Sequence, residues 1–135
     1  MVIDTSALLA IFQNEPEQEA FNRLIAAAPV RLLSAANVVE TSIVIGSRFG
    51  DQGIEELDRF LDEAAILVVA VTPRQAQAAR NAYFRYGKSH HRAGLNYGDC
   101  FAYALAKTMG QTLLFKGNDF SQTDIAPAYE ARDVS

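Results

Sequence analysis

The chain has 135 residues, half of them hydrophobic, enough for one buried core, so a single domain over residues 1–135 is expected. Its longest apolar run, residues 64–71, falls far short of the roughly 20 residues of a membrane-crossing helix, and no leader-like segment precedes Asp4, so a cytoplasmic protein is expected. Cys100 is the only cysteine, which excludes an internal disulfide or a thiolate zinc cluster, and the net charge of −4 argues against non-specific nucleic-acid binding.

Val2 to Asp4 reads as a short strand, followed by a helix over Ser6 to Gln13. Pro16 closes that helix and suits the start of a second one, Glu17 to about Ala27. Arg31 to Ser34 is a strand; Val38, Val39, Ile43 and Val44 then recur at helical spacing as far as Gly50, and Ile54, Leu57, Phe60 and Leu61 mark a further helix. Ile66 to Val71 is a continuous apolar, mostly β-branched run, the pattern of a strand covered on both faces. Thr72 and Pro73 supply an N-cap and a first-turn proline for a helix reaching Tyr86. A glycine-bracketed basic loop extends from Gly87 to Leu95. Asn96 caps a helix from Tyr97 to Met109, which Gly110 ends, and Thr112 to Phe115 is another strand. Asp124 and Ile125 are candidates for a last edge strand. Strands alternating with helices predict an α/β fold with a mostly parallel sheet and helices on both faces.

In such a sheet, ligands bind beyond the carboxyl ends of the strands. Asp4 ends the first strand, Glu40 lies in the second turn after the second strand, Asp99 is in the first turn of the Asn96-capped helix, and Asp119 follows the last strand closely. Each has a plain reading by itself: Asp4 as a helix cap, Glu40 as a solvated helix residue, Asp99 as a capping-box acid. Their positions let all four converge on one edge, and carboxylates packed that closely cannot all stay ionised without a compensating cation. An all-oxygen donor set without paired histidines suits Mg²⁺ or Mn²⁺, ions that activate water against phosphodiesters. Between Ala64 and Gly98 there is no acid, while Arg74, Arg80, Arg85, Lys88 and Arg92 all fall there. Arg85, Lys88 and Arg92, with Tyr83 and Tyr86, are therefore candidates to follow a phosphodiester backbone and stack a base. Lys116 is a further candidate phosphate contact. His90 and His91 are adjacent and point apart, which disfavours a shared metal.

Four blocks, VIDTSAL, SAANVVE, YGKSHHRAGLNYGDCFAYALA and LLFKGNDF, resemble in order and spacing those of the PIN-domain ribonucleases, in particular the VapC toxins of bacterial toxin–antitoxin pairs. The resemblance spans nearly the whole chain. It implies a three-layer α/β/α PIN fold, RNA cleavage dependent on Mg²⁺ or Mn²⁺, a homodimer, and inhibition by a cognate VapB-type antitoxin lying across the acidic groove. By position, Asp4, Glu40 and Asp99 match the metal-binding acids, and Ser6 matches the hydroxyl that supports the first of them. Many members carry another acid two residues before the position of Asp119. Gly117 stands there in this chain, which leaves Asp119 either as a weaker catalytic acid or as a loop-holding residue. Asn96 is expected to cap its helix, with orientation of a neighbouring acid as its second role.

Two other nucleophile patterns fit poorly. A haloacid-dehalogenase phosphatase needs a second acid where Ser6 stands, and a receiver module needs adjacent acids after the first strand and a phosphoacceptor after the third, where the chain has Val71, Thr72 and Pro73. The alternative kept open by Gly117 is a PIN-like module that binds RNA or protein without cutting.

Overall fold

The computed structural model describes residues 1–130. β1 (Val2–Ile3) is followed by α1 (Thr5–Phe12), which buries Ala7, Leu8, Ala10 and Ile11. Asn14, at φ 53°, turns the chain into α2 (Gln18–Ala27), whose Phe21 and Ile25, one turn apart, are both buried. β2 (Leu32–Ser34) leads directly into α3 (Ala35–Glu63), capped by the Ser34 hydroxyl, which accepts from the Ala36 amide at 3.3 Å. Asn37, Thr41 and Ile45 make a buried stripe with the four-residue helical repeat, and Gly53, Leu57 and Leu61 make a second. The break between them is at Gly50, whose φ of 69° and ψ of −160° interrupt the helix at a residue that pays no Cβ penalty there. β3 (Leu67–Val69), α4 (Pro73–Tyr86), α5 (Tyr97–Met109), β4 (Leu113–Leu114) and a 3₁₀ turn (Phe120–Gln122) complete the described elements.

The sheet is all parallel, in the order β3-β2-β1-β4. Period-two alternation divides its side chains between two cores. Val2, Leu32 and Leu113 pack with α4 and α5, whereas Ile3, Leu33 and Leu114 pack with α1, α2 and the second half of α3. This is the expected three-layer α/β/α arrangement. Successive strands run one way from β1 to β3, then β4 joins the other side of β1, so the topological switch lies between β1 and β4. That is where open parallel sheets hold their ligands, and Asp4 sits there, its amide extending the ladder to the Leu114 carbonyl at 2.9 Å. Among the described residues no helix is long and apolar enough to cross a membrane.

Two expectations are corrected. β3 is not covered on both faces: it is the edge strand, with Leu67 63% and Val68 43% exposed. An apolar run reports that a strand exists, but which neighbours cover it depends on strand order. Asp124 and Ile125 do not form a strand; Pro127 makes only an isolated bridge to Leu113. Asp124 instead turns back toward α4 and α5, with Lys107 Nζ at 3.2 Å, Arg85 at 4.0 Å and the Tyr103 hydroxyl donating to it.

Candidate active site

Asp4 is the helix cap of its plain reading. As N-cap of α1 it accepts through Oδ2 from the Ser6 amide at 2.9 Å and from the Ser6 hydroxyl at 2.6 Å. The Ser6 hydroxyl in turn accepts from the Lys116 amide at 3.0 Å, so the loop after β4 is tied to the cap of α1. The other oxygen, Oδ1, is buried and has no partner. Burial raises the Asp4 pKa to about 7; the Ser6 hydroxyl bond pulls the other way, and the charges of Asp99 and Glu40 add to the rise.

Asp99 is held by a capping box: the Asn96 side chain accepts from the Asp99 amide at 2.9 Å, and Asp99 Oδ2 accepts from the Asn96 amide at 3.0 Å. The capping role expected of Asn96 is thereby also an orienting role for Asp99. Burial raises the Asp99 pKa to about 6, opposed by the Asn96 amide and assisted by the charges of Asp119 and Glu40. Asp119 is exposed at the start of the 3₁₀ turn and makes no capping hydrogen bond. Glu40 is half-buried on α3, and its Oε1 accepts from Asn37 Nδ2 at 3.2 Å. Asp4 thus lies within the field of Asp99 and Glu40, and Asp99 within that of Asp119 and Glu40.

Asn37 and Gly98 were not singled out by sequence reasoning. Asn37 is fully buried, and its Nδ2 also donates to the Gly98 carbonyl at 3.0 Å, linking α3 to the first turn of α5. A Cβ at Gly98 would fall well inside contact distance of the Glu40 carboxylate, so the absence of a side chain at 98 is what lets Glu40 lie there. The three-residue spacing of Asn37 and Glu40 places both on one helix face and was the available signal; the Gly98 contact joins residues 61 apart.

The oxygen donors suit a hard divalent cation. None of the ion pairs among the described residues includes Asp4, Glu40, Asp99 or Asp119, so the group carries no protein countercharge. The unpartnered Asp4 Oδ1 offers the buried lone pairs such an ion needs. Among the described residues no group of three or more His, Cys, Asp and Glu side chains is gathered closely enough to hold a metal ion by itself. An open set completed by water and phosphate oxygens is the arrangement Mg²⁺ favours.

The basic candidates separate. Lys88 and Arg92 are exposed in the 87–95 loop, which is anchored by the Leu95 amide to the Tyr86 carbonyl at 3.0 Å and the Lys88 amide to the Leu95 carbonyl at 2.9 Å. Arg85 faces Asp124 and lies over the Tyr86 ring, 5.0 Å from its centroid. Lys116 Nζ lies between Glu17, at 3.1 Å, and Glu15, at 3.2 Å; those hydrogen bonds raise its pKa. Tyr86 is buried against Tyr103 and His91, so it does not offer a face to a base; Tyr83 remains half-buried with its hydroxyl donating to the Lys88 carbonyl. Phe84 and Tyr97 are exposed there instead. His90 packs on Tyr83 and Phe84 while His91 packs on Tyr86, so the two imidazoles do point apart.

Comparison with known proteins shows the family. The model of the PIN domain matches residues 1–126. Ribonuclease VapC of Mycolicibacterium smegmatis is 58% identical over 129 residues, covering 96% of this chain and all of that protein. The crystal structure of Mycobacterium tuberculosis VapC20, described as a sarcin-ricin loop cleaving toxin, superposes with a TM-score of 0.75 at 20% identity, covering 93% of this chain and 95% of that one. That of VapBC2 from Rickettsia felis, bound to a fragment of its promoter, gives 0.72 at 13% identity, covering 93% and 94%. With a match of this extent, the chain belongs to the PIN-domain ribonucleases of the VapC toxin family.

Proposed function

We propose that this ribonuclease toxin hydrolyses RNA phosphodiesters at the edge formed by Asp4, Glu40 and Asp99, with Mg²⁺ or Mn²⁺ held by those three carboxylates and Asp119 assisting from the loop. The observation that carries the proposal is the buried, unpartnered Oδ1 of Asp4, on a carboxyl that lies within the field of Asp99 and Glu40. A divalent ion there supplies charge compensation and activation of water for attack on phosphorus. The chain's own residues do the positioning. Ser6 occupies Oδ2 of Asp4 and leaves Oδ1 free, and Asn96 occupies Oδ2 of Asp99.

RNA follows Lys88 and Arg92, which have no ion-pair partner among the described residues. Arg85 and Lys116 contribute to phosphate binding only by leaving Asp124 or the Glu15–Glu17 pair. A VapB-type antitoxin is the expected partner, supported by the VapBC2 assembly among the similar folds; a site rich in carboxylates attracts a basic segment electrostatically. Val39 and Ile43, one turn apart on α3 and 58% and 63% exposed, are the apolar residues on which a second copy would pack. The metal part of the reading is tested by thermal melting of metal-free protein with added Mn²⁺. Wild type rises in Tm while Asp4→Asn does not; equal rises in both proteins would remove Asp4 from the metal site.

A further inference from the structure

Asn37 is a polar residue placed where a core position would ordinarily be apolar. Its side-chain nitrogen faces two acceptors, Glu40 Oε1 at 3.2 Å and the Gly98 carbonyl at 3.0 Å. Because a carboxylate and a carbonyl can only accept, the amide orientation is dictated by chemistry: the NH₂ group must point at both. The consequence is an Oδ1 that is buried without a partner. A leucine would fill similar space with no such unsatisfied atom, and the Gly98 carbonyl would still have its helical partner within α5. Fold stability alone therefore does not call for asparagine here.

What the amide does instead is hold Glu40. The carboxylate is pulled back along α3 by Asn37 and fits against the bare Cα of Gly98, at a place any side chain on 98 would occupy. Gly98 immediately precedes Asp99, and the same Asn37 nitrogen grips the Gly98 carbonyl. The acid of α3 and the acid of α5 are thus fixed relative to one another through a single side chain. We infer that Asn37 is a positioning residue of the active site: its two-way hydrogen bond to Glu40 and to the Gly98 carbonyl sets the separation of Glu40 and Asp99.

The inference rests on the proposed roles of Glu40 and Asp99, and a double-mutant cycle separates the two ideas. Wild type, Asn37→Leu, Glu40→Ala and the double variant are compared by Mn²⁺ affinity from calorimetry and by kcat for RNA cleavage, together with crystal structures of metal-free wild type and Asn37→Leu. If Asn37 acts through Glu40, Asn37→Leu loses tenfold or more in both quantities at an undiminished Tm, its Glu40 carboxylate leaves Gly98 in the crystal, and adding the change to Glu40→Ala costs nothing more. Losses that multiply in the double variant, or a Glu40 carboxylate that stays against Gly98 in Asn37→Leu, overturn the inference. Should wild type bind no Mn²⁺, the metal reading fails, and the position of Glu40 in the two crystals still decides the role of Asn37.

Discussion

The Ser6 hydroxyl donates to Oδ2 of Asp4 at 2.6 Å and leaves Oδ1 of the same carboxylate buried and unpartnered. One oxygen thereby serves the fold and the other stays open to the proposed metal ion. The same division recurs at Asp99, whose Oδ2 completes a capping box with Asn96.

Removing the Ser6 hydroxyl takes away a hydrogen bond to Asp4 and the acceptor of the Lys116 amide together. Outer partners of metal-ligating groups are typically worth about 10–100-fold in activity or metal affinity. Ser6→Ala is expected to lower kcat by about that factor, against complete loss for Asp4→Asn. Steady-state cleavage of a labelled RNA measures the difference.

The pH dependence of stability follows from the Asp4 shift. Its folded pKa of about 7 stands above the usual 3.8, so between these values the folded form binds the extra proton and stability falls as pH rises. Asp99, raised to about 6, acts in the same direction over a narrower range. The Met1 ammonium, lowered by burial, acts in the opposite direction, so the comparison must be with a variant. Metal-free Asp4→Asn should exceed wild type by about 1 kcal/mol or more at pH 8 and lose that advantage toward pH 5, as read by urea melts at the two pH values.

Asp99→Asn and Asp119→Asn should differ. Asp99 is capped, half-buried and coupled to Asp119 and Glu40, whereas Asp119 is exposed and holds no cap. Cleavage should vanish for Asp99→Asn and fall by roughly 10-fold for Asp119→Asn, the scale of a water-mediated contribution. Single-turnover rates at saturating Mn²⁺ report both.

For the basic loop, Lys88→Ala and Arg92→Ala should weaken RNA binding and each lower the salt slope by about 0.7, the value for one lost phosphate contact on a single strand. Arg85→Ala should change the slope less, because its guanidinium already faces Asp124. Titration of catalytically inactive Asp4→Asn protein with RNA at several salt concentrations gives the slopes.

Local chemistry was legible in the sequence. The caps at Thr72 and Asn96, the break at Gly50 and the end at Gly110 rest on contacts within a few residues, and the structure places them where the sequence does. The chain positions of the acids were equally readable, since Asp4, Glu40 and Asp119 follow strand ends and Asp99 opens the Asn96-capped helix. Long-range partners were not: β3 reads as central until strand order makes it an edge, Asp124 reads as strand until Lys107 and Arg85 claim it, and Tyr86 reads as available until Tyr103 covers it. Asn37 escaped notice for the same reason, because its meaning depends on Gly98.

The most direct test of the whole account is cleavage of total cellular RNA by purified, antitoxin-free protein with Mg²⁺, with Mn²⁺ and with EDTA, beside Asp4→Asn. The account predicts discrete cuts that need the divalent ion and are absent from the Asp4→Asn lane. Cuts that persist in EDTA, or that Asp4→Asn makes equally well, would contradict it.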